Sequence, residues 1–117
     1  MKAKILSAIL LVAVMCSAAC ASLPSVTMLS TKTCPACAQM AKVLTQLNKD
    51  YGGKIETSHI YLEDQPELAK EYQVRYVPML IFRDSKGSEI AREIGYMPKG
   101  EVLKLFANKG IKIDGGE

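Results

Sequence analysis

The sequence has no run of lysines or arginines, a single histidine, and only two cysteines after Ala21. Each scarcity removes a class of function. Without a basic run there is no stripe to track phosphates, so nucleic acid is not an expected partner. One cysteine pair and His59 cannot supply the four ligands of a structural zinc site, and no metal is expected. No later stretch approaches the ~20 apolar residues of a membrane-spanning helix. No internal repeat or low-complexity segment occurs, and 117 residues fit one domain.

The N-terminal region differs in composition from the rest. Lys2 and Lys4 precede an apolar run, Ile5 to Met15, broken only by Ser7, and Ala19-Cys20-Ala21 is a small-residue site of the A-x-A kind. Basic, then apolar, then small is the order of a secretory signal peptide, here over 1–21. Ser17-Ala18-Ala19-Cys20 also resembles the bacterial lipoprotein signal, with Ser17 where that pattern has an aliphatic residue. Under that reading Cys20 is lipidated, the one route by which this chain would meet a membrane. Either way the mature protein is expected to be exported, periplasmic or extracytoplasmic, with a domain over 22–109 and a flexible tail over 110–117. Loss of Lys2 and Lys4 takes the 15 basic residues to 13 against 12 acidic ones, so the mature domain is nearly neutral.

Export also removes Cys16, and Cys20 is either cut away or lipidated, which leaves Cys34 and Cys37 in a compartment where disulfides persist. The stretch Thr33-Cys34-Pro35-Ala36-Cys37 is therefore the chemical focus. A CxxC pair serves zinc, iron-sulfur clusters, haem attachment or a disulfide. Ala38 follows rather than His, which excludes haem attachment. A helix beginning at Pro35 puts Cys34 on its first turn, where unpaired N–H groups favour a thiolate. That end contributes typically about 0.3 to 1 kcal/mol, so further hydrogen bonds are needed for a strongly acidic thiol.

The periodicities predict seven elements. Ser25–Ser30 reads as a buried strand, and Met40, Val43, Leu44 and Leu47 give the next segment a helical stripe that ends near Asp50. Ile55–Leu62 reads as a strand and Glu63-Asp64-Gln65-Pro66 as a solvated turn, followed by a short helix over Pro66–Tyr72. Val77–Phe82 reads as a strand with Pro78 at its start or at an unusual peptide bond. A turn over Asp84–Gly87 leads to a strand over Ser88–Ile94, with Ile90 and Ile94 on one face. A last helix from Pro98 to Asn108 is expected to bury Val102, Leu103, Leu105 and Phe106. Met28, Met40 and Met79 read as core fillers. This is an α/β order in which the first strand-helix-strand unit forces a parallel pair and the second half adds an antiparallel hairpin and a covering helix.

With these residues in place the chain resembles the thioredoxin superfamily. From Cys34 to Pro78 it lies on thioredoxin without a gap, through Asp64-Gln65, Tyr72, Arg75 and Val77-Pro78. With one residue inserted in the hairpin, Gly87, Gly95 and Lys99-Gly100 also fall on thioredoxin-like positions. The resemblance implies a minimal thioredoxin-like core, βαβ-α-ββα, with a four-stranded mixed sheet flanked by helices. Only Leu23 to Ser30 precedes the CxxC, so the outline is closer to glutaredoxin. It also implies that Pro78 is cis and lies against the CxxC, and that Tyr76, Val77, Gly95 and Tyr96 line a groove for an extended substrate. Three departures stand out. Thr33 replaces a tryptophan, the dipeptide between the cysteines is Pro35-Ala36, and a buried acid and its neighbouring lysine fall on Met28 and His59.

The activity so implied is thiol-disulfide exchange with other proteins, with Cys34 as nucleophile, Cys37 as resolving thiol and no cofactor beyond the redox-active disulfide. Reduction is the expected direction, fed by a membrane electron donor, for a protein expected to be monomeric. An oxidase or isomerase, and a non-catalytic thiol-based metal-binding or adaptor module, are the alternatives. His59 reads either as a proton acceptor for Cys37 or as a strand-end residue turned to water.

Overall fold

The computed structural model describes residues 23–113; the expected signal peptide, Cys20 and residues 114–117 lie outside them. Seven elements follow in order: β1 (Ser25–Ser30), α1 (Pro35–Tyr51), β2 (Glu56–Tyr61), α2 (Glu67–Glu71), β3 (Met79–Arg83), β4 (Glu89–Ile94) and α3 (Lys99–Asn108). The strands form one mixed sheet in the order β2-β1-β3-β4. β1 and β2 run parallel, as a helical crossover requires, while β3 is antiparallel to both β1 and β4. This is the α/β, thioredoxin-like arrangement expected from the sequence.

Alternation along the inner strands divides the core into two layers. Val26 and Met28 of β1 and Leu80 and Phe82 of β3 face α1 and α3, where Met40, Val43, Leu44, Leu47, Val102 and Phe106 meet them. Phe82 and Phe106 pack edge to face with centroids 5.5 Å apart. Burial of each such side chain contributes about 1.5–3 kcal/mol. Leu29, Met79 and Ile81 face the other way, under Leu68, Tyr72 and Val74. Met28, Met40 and Met79 are core residues, as expected.

α2 has five residues, none buried, so it cannot stand on its own helical propensity. Tyr72 ties it down. Its hydroxyl accepts from Arg83 Nη2 at 2.8 Å, and its carbonyl accepts from Arg92 Nη1 at 2.7 Å. The two guanidinium groups lie 5.8 and 5.4 Å from the centre of its ring, close enough for cation–π attraction.

One expectation needs correction. Ile94 does not share an inner face with Ile90: a bulge opposite Phe82–Arg83 leaves Ile90 unpaired, and the extra residue reverses the alternation. Ile90 packs on the α1/α3 layer, whereas Ile94 is 55% exposed. After α3, the described residues 110–113 of the expected tail make contacts of their own. Gly110 N–H donates to the Ala107 carbonyl and Ile111 N–H to the Phe106 carbonyl, a Schellman closure that Gly110 permits with φ of 86°. It folds Ile111 and Ile113 back against the larger core layer. Leu103 and Leu105 are only partly buried, since α3 presents Val102 and Phe106 most directly to the sheet.

Candidate active site

The helix that carries the cysteine pair is built for its position. Pro35 takes the first helical site, where its fixed φ suits the helix and its missing N–H leaves no partner wanting. Cys34 is the N-cap in extended conformation, and its Sγ accepts from Cys37 N–H at 3.0 Å. Ala38 N–H donates to the Cys34 carbonyl at 3.1 Å, and Ala36 lies exposed between the cysteines. The Cα atoms of Cys34 and Cys37 are 5.1 Å apart, within the range a disulfide spans, and the two sulfurs are joined. Their surroundings differ: Cys34 is half-buried at the surface, whereas Cys37 is 2% exposed on the inner side of α1.

The loop before Cys34 is anchored in a way that sequence reasoning missed. Both carboxylate oxygens of Glu63 accept from Lys32 N–H, at 3.2 and 2.9 Å, and Lys32 Nζ pairs with Asp64 at 3.0 Å. Glu63 and Asp64, expected only as solvated turn charges, are exposed yet clamp this loop to the end of β2. The signal lay in the parallel pairing of β1 with β2, which brings the segments following both strands to the same end of the sheet.

The Val77–Pro78 peptide is cis. One step beyond the Leu29–Met79 pair, Pro78 stands level with Ser30, at the end of β1 that leads to Cys34. Gly95 N–H donates to the Pro78 carbonyl at 2.8 Å, with Gly95 at φ of 105°, a conformation that favours glycine. Val77 makes no backbone hydrogen bond among the described residues. Tyr76 and Tyr96 are 67% and 52% exposed, and Tyr96 lines a shallow pocket with Ile94 and Gly95. Of the expected groove residues, Gly95 and Tyr96 lie together with Ile94, Gly95 is bonded to Pro78 next to Val77, and Tyr76 precedes Val77 as an exposed side chain.

His59 pairs in register with Met28 and projects on the α1 side of the sheet. Its Nε2 lies 2.7 Å from Oγ of Ser30, the single buried polar residue among the described residues. Partial burial disfavours the imidazolium and lowers the His59 pKa below its ordinary value. A cavity of about 60 Å³ lies between α1 and β2, bounded by Cys34, Cys37, Lys32, His59 and Tyr61. Met28 is fully buried and supplies no carboxylate there. Among the described residues no cluster of three or more His, Cys, Asp or Glu could hold a metal ion.

Comparison with known proteins agrees with this geometry. A family model described as thioredoxin-like domain matches residues 14–110, beginning inside the expected signal peptide. The chain is 36% identical over 74 residues to the chloroplast M-type thioredoxin of Zea mays, a match spanning 62% of this chain and 43% of that protein. It is 34% identical over 74 residues to a thioredoxin of Staphylococcus aureus, spanning 62% of this chain and 69% of that one. The chain therefore spans less than half the length of the plant relatives it matches. Among solved structures, a thioredoxin-like protein from Clostridium perfringens superposes with a TM-score of 0.67 at 29% identity, covering 80% of this chain and 75% of that one. A thioredoxin-2 of a malaria parasite superposes with a TM-score of 0.68 at 22% identity, covering 74% and 82%, which speaks to the fold. By its strand order, its helix-capping disulfide and the family match over most of its length, the chain belongs to the thioredoxin-like domain family.

Proposed function

We propose that this protein is an exported thiol-disulfide oxidoreductase whose Cys34–Cys37 pair reduces disulfides in other proteins. The observation that carries the reading is the asymmetry of the pair, a half-exposed Cys34 at a helix start and a buried Cys37 within bonding reach. In the reduced form the Cys37 N–H and the N-terminal end of α1 stabilise a Cys34 thiolate. That thiolate attacks one sulfur of a substrate disulfide and expels the other as a thiolate. Cys37, deprotonated, then attacks Cys34 and releases the remaining substrate sulfur. The two protons of the dithiol end on the two substrate thiols, and the pair ends as the disulfide.

Pro78, Val77 and Gly95 form the rim where an extended substrate segment lies, and the free backbone groups of Val77 are suited to pair with it. Tyr76, Tyr96 and Ile94 offer it apolar contact. The reducing direction rests on likeness to thioredoxins, with electrons returned by a membrane donor, and export rests on the pattern of residues 1–21.

Reduction of insulin by dithiothreitol tests the activity. The protein should accelerate precipitation of the freed chains, and Cys34→Ser should return the rate to the uncatalysed level. No acceleration by the unaltered protein would replace this reading with a thiol-based metal-binding or adaptor module. Cys37→Ser should trap mixed disulfides in the exported compartment. Capture of membrane reductases agrees with the reducing direction, whereas capture mainly of newly exported substrates would reverse it to an oxidase.

A further inference from the structure

Resolution of the mixed disulfide requires Cys37 to lose a proton, and that thiol is 2% exposed. An ordinary thiol titrates near 8.5, so at pH 7 only about 3% would be ionised without help. The cavity that Cys37 borders has no carboxylate in its wall. Its nitrogen-bearing groups are Lys32 and His59. Lys32 is held by Asp64, which raises its pKa further, so it stays protonated and cannot serve as a base. His59 is neutral near pH 7 and borders the same space, which at about 60 Å³ has room for at least one bridging water. On its other side His59 borders Ala41, Leu44, Thr45, Asn48, Thr57 and Ser58, none of them charged.

We propose that the Ser30–His59 pair accepts the Cys37 proton during resolution, an inference that rests on the exchange reaction proposed above. Ser30 is the positioning residue. With the hydrogen of the neutral ring on Nε2, Ser30 Oγ accepts it at 2.7 Å, and Nδ1 is left as the base. When Nδ1 gains the proton the Nε2–H bond to Ser30 persists, so one contact holds the ring in both states. The Cys37 S–H bond breaks as the Nδ1–H bond forms. The new thiolate closes the Cys34–Cys37 bond, expels the substrate thiolate, and the imidazolium returns its proton to that thiolate or to water.

Burial would also make the base available to lower pH than an ordinary imidazole. Half of the base is lost only at a pH below the ordinary imidazole midpoint, because burial lowers the His59 pKa. Lys32, Tyr61, Cys34 and Cys37 share the cavity wall with the ring; Lys32 keeps its charge because Asp64 raises its pKa, and Cys34 does not titrate in the resolving step because it is bound in the mixed disulfide.

Stopped-flow reaction of the reduced protein with excess Ellman's reagent separates the steps, because Cys34 attack releases one thionitrobenzoate and Cys37 resolution a second. His59→Gln should leave the first phase unchanged and slow the second at least tenfold at pH 7, where only about 3% of an unassisted thiol is ionised. The variant's second phase should fall about tenfold per pH unit from 8 to 6, that of the unaltered protein should be shallow, and the two should converge near pH 9. Ser30→Ala should give a smaller loss in the same phase. In His59→Ala, free imidazole should restore the second phase in proportion to its concentration. Equal second phases in His59→Gln and the unaltered protein from pH 6 to 9, or no rescue by imidazole, overturn the proposal. Both phases can be read even if insulin is not a substrate, so failure of the activity and failure of the proton acceptor are told apart.

Discussion

At the residue scale, two residues separate two cysteines that meet different conditions. Cys34 caps a helix and receives an N–H bond, while Cys37 is enclosed by the sheet side of α1. In the reduced protein, alkylation of Cys34 by iodoacetamide should reach half its plateau rate well below pH 8.5, where an ordinary thiol does so. A midpoint at or above about 8 would remove the basis for Cys34 as nucleophile. Cys34 and Cys37 stood out in the sequence by their spacing, whereas the cis bond at Pro78 was expected only from the resemblance to thioredoxin, since a proline in that place also suits a strand start. The contacts of Ser30 with His59 and of Lys32 with Glu63 and Asp64 were not, because each joins positions far apart in the chain and depends on the parallel register of β1 and β2.

At the scale of elements, every strand and helix was legible to within a turn of its ends, since period 2 and period 3.6 alternate cleanly along the chain. The exceptions share a cause. The bulge at Ile90 changes which face a residue occupies without changing composition, so the paired isoleucines of β4 misled. The closure after α3 turns on Gly110, whose left-handed conformation brings Ile111 and Ile113 back to the core and leaves no mark in the periodicity. Gly110→Ala should lower stability by about 1 kcal/mol in urea unfolding, because its φ of 86° penalises a side chain. No neighbouring atom lies within 4 Å of the added carbon, so the loss is one of backbone conformation alone. An unchanged midpoint would mean that the Schellman turn contributes little to the packing of Ile111 and Ile113.

At the scale of the whole molecule, redox direction and folding stability are linked through one thermodynamic cycle. A dithiol that is stabilised in the folded protein relative to its disulfide makes an oxidant, and the reverse makes a reductant. The ring closed between Cys34 and Cys37 is short, and the chain-entropy model assigns such a loop only about 2 kcal/mol. Urea unfolding should therefore find the oxidised form more stable than the reduced one, by no more than about 2 kcal/mol. A more stable reduced form would argue for the oxidising direction instead. The unequal exposure of the two sulfurs also bears on chemical damage. Peroxide reaching the reduced protein meets Cys34 first and leaves a sulfenic acid there; Cys37, already within bonding distance, condenses with it and expels water. Such a molecule converts an oxidative injury into its own resting disulfide before the sulfur can pass to irreversible acids.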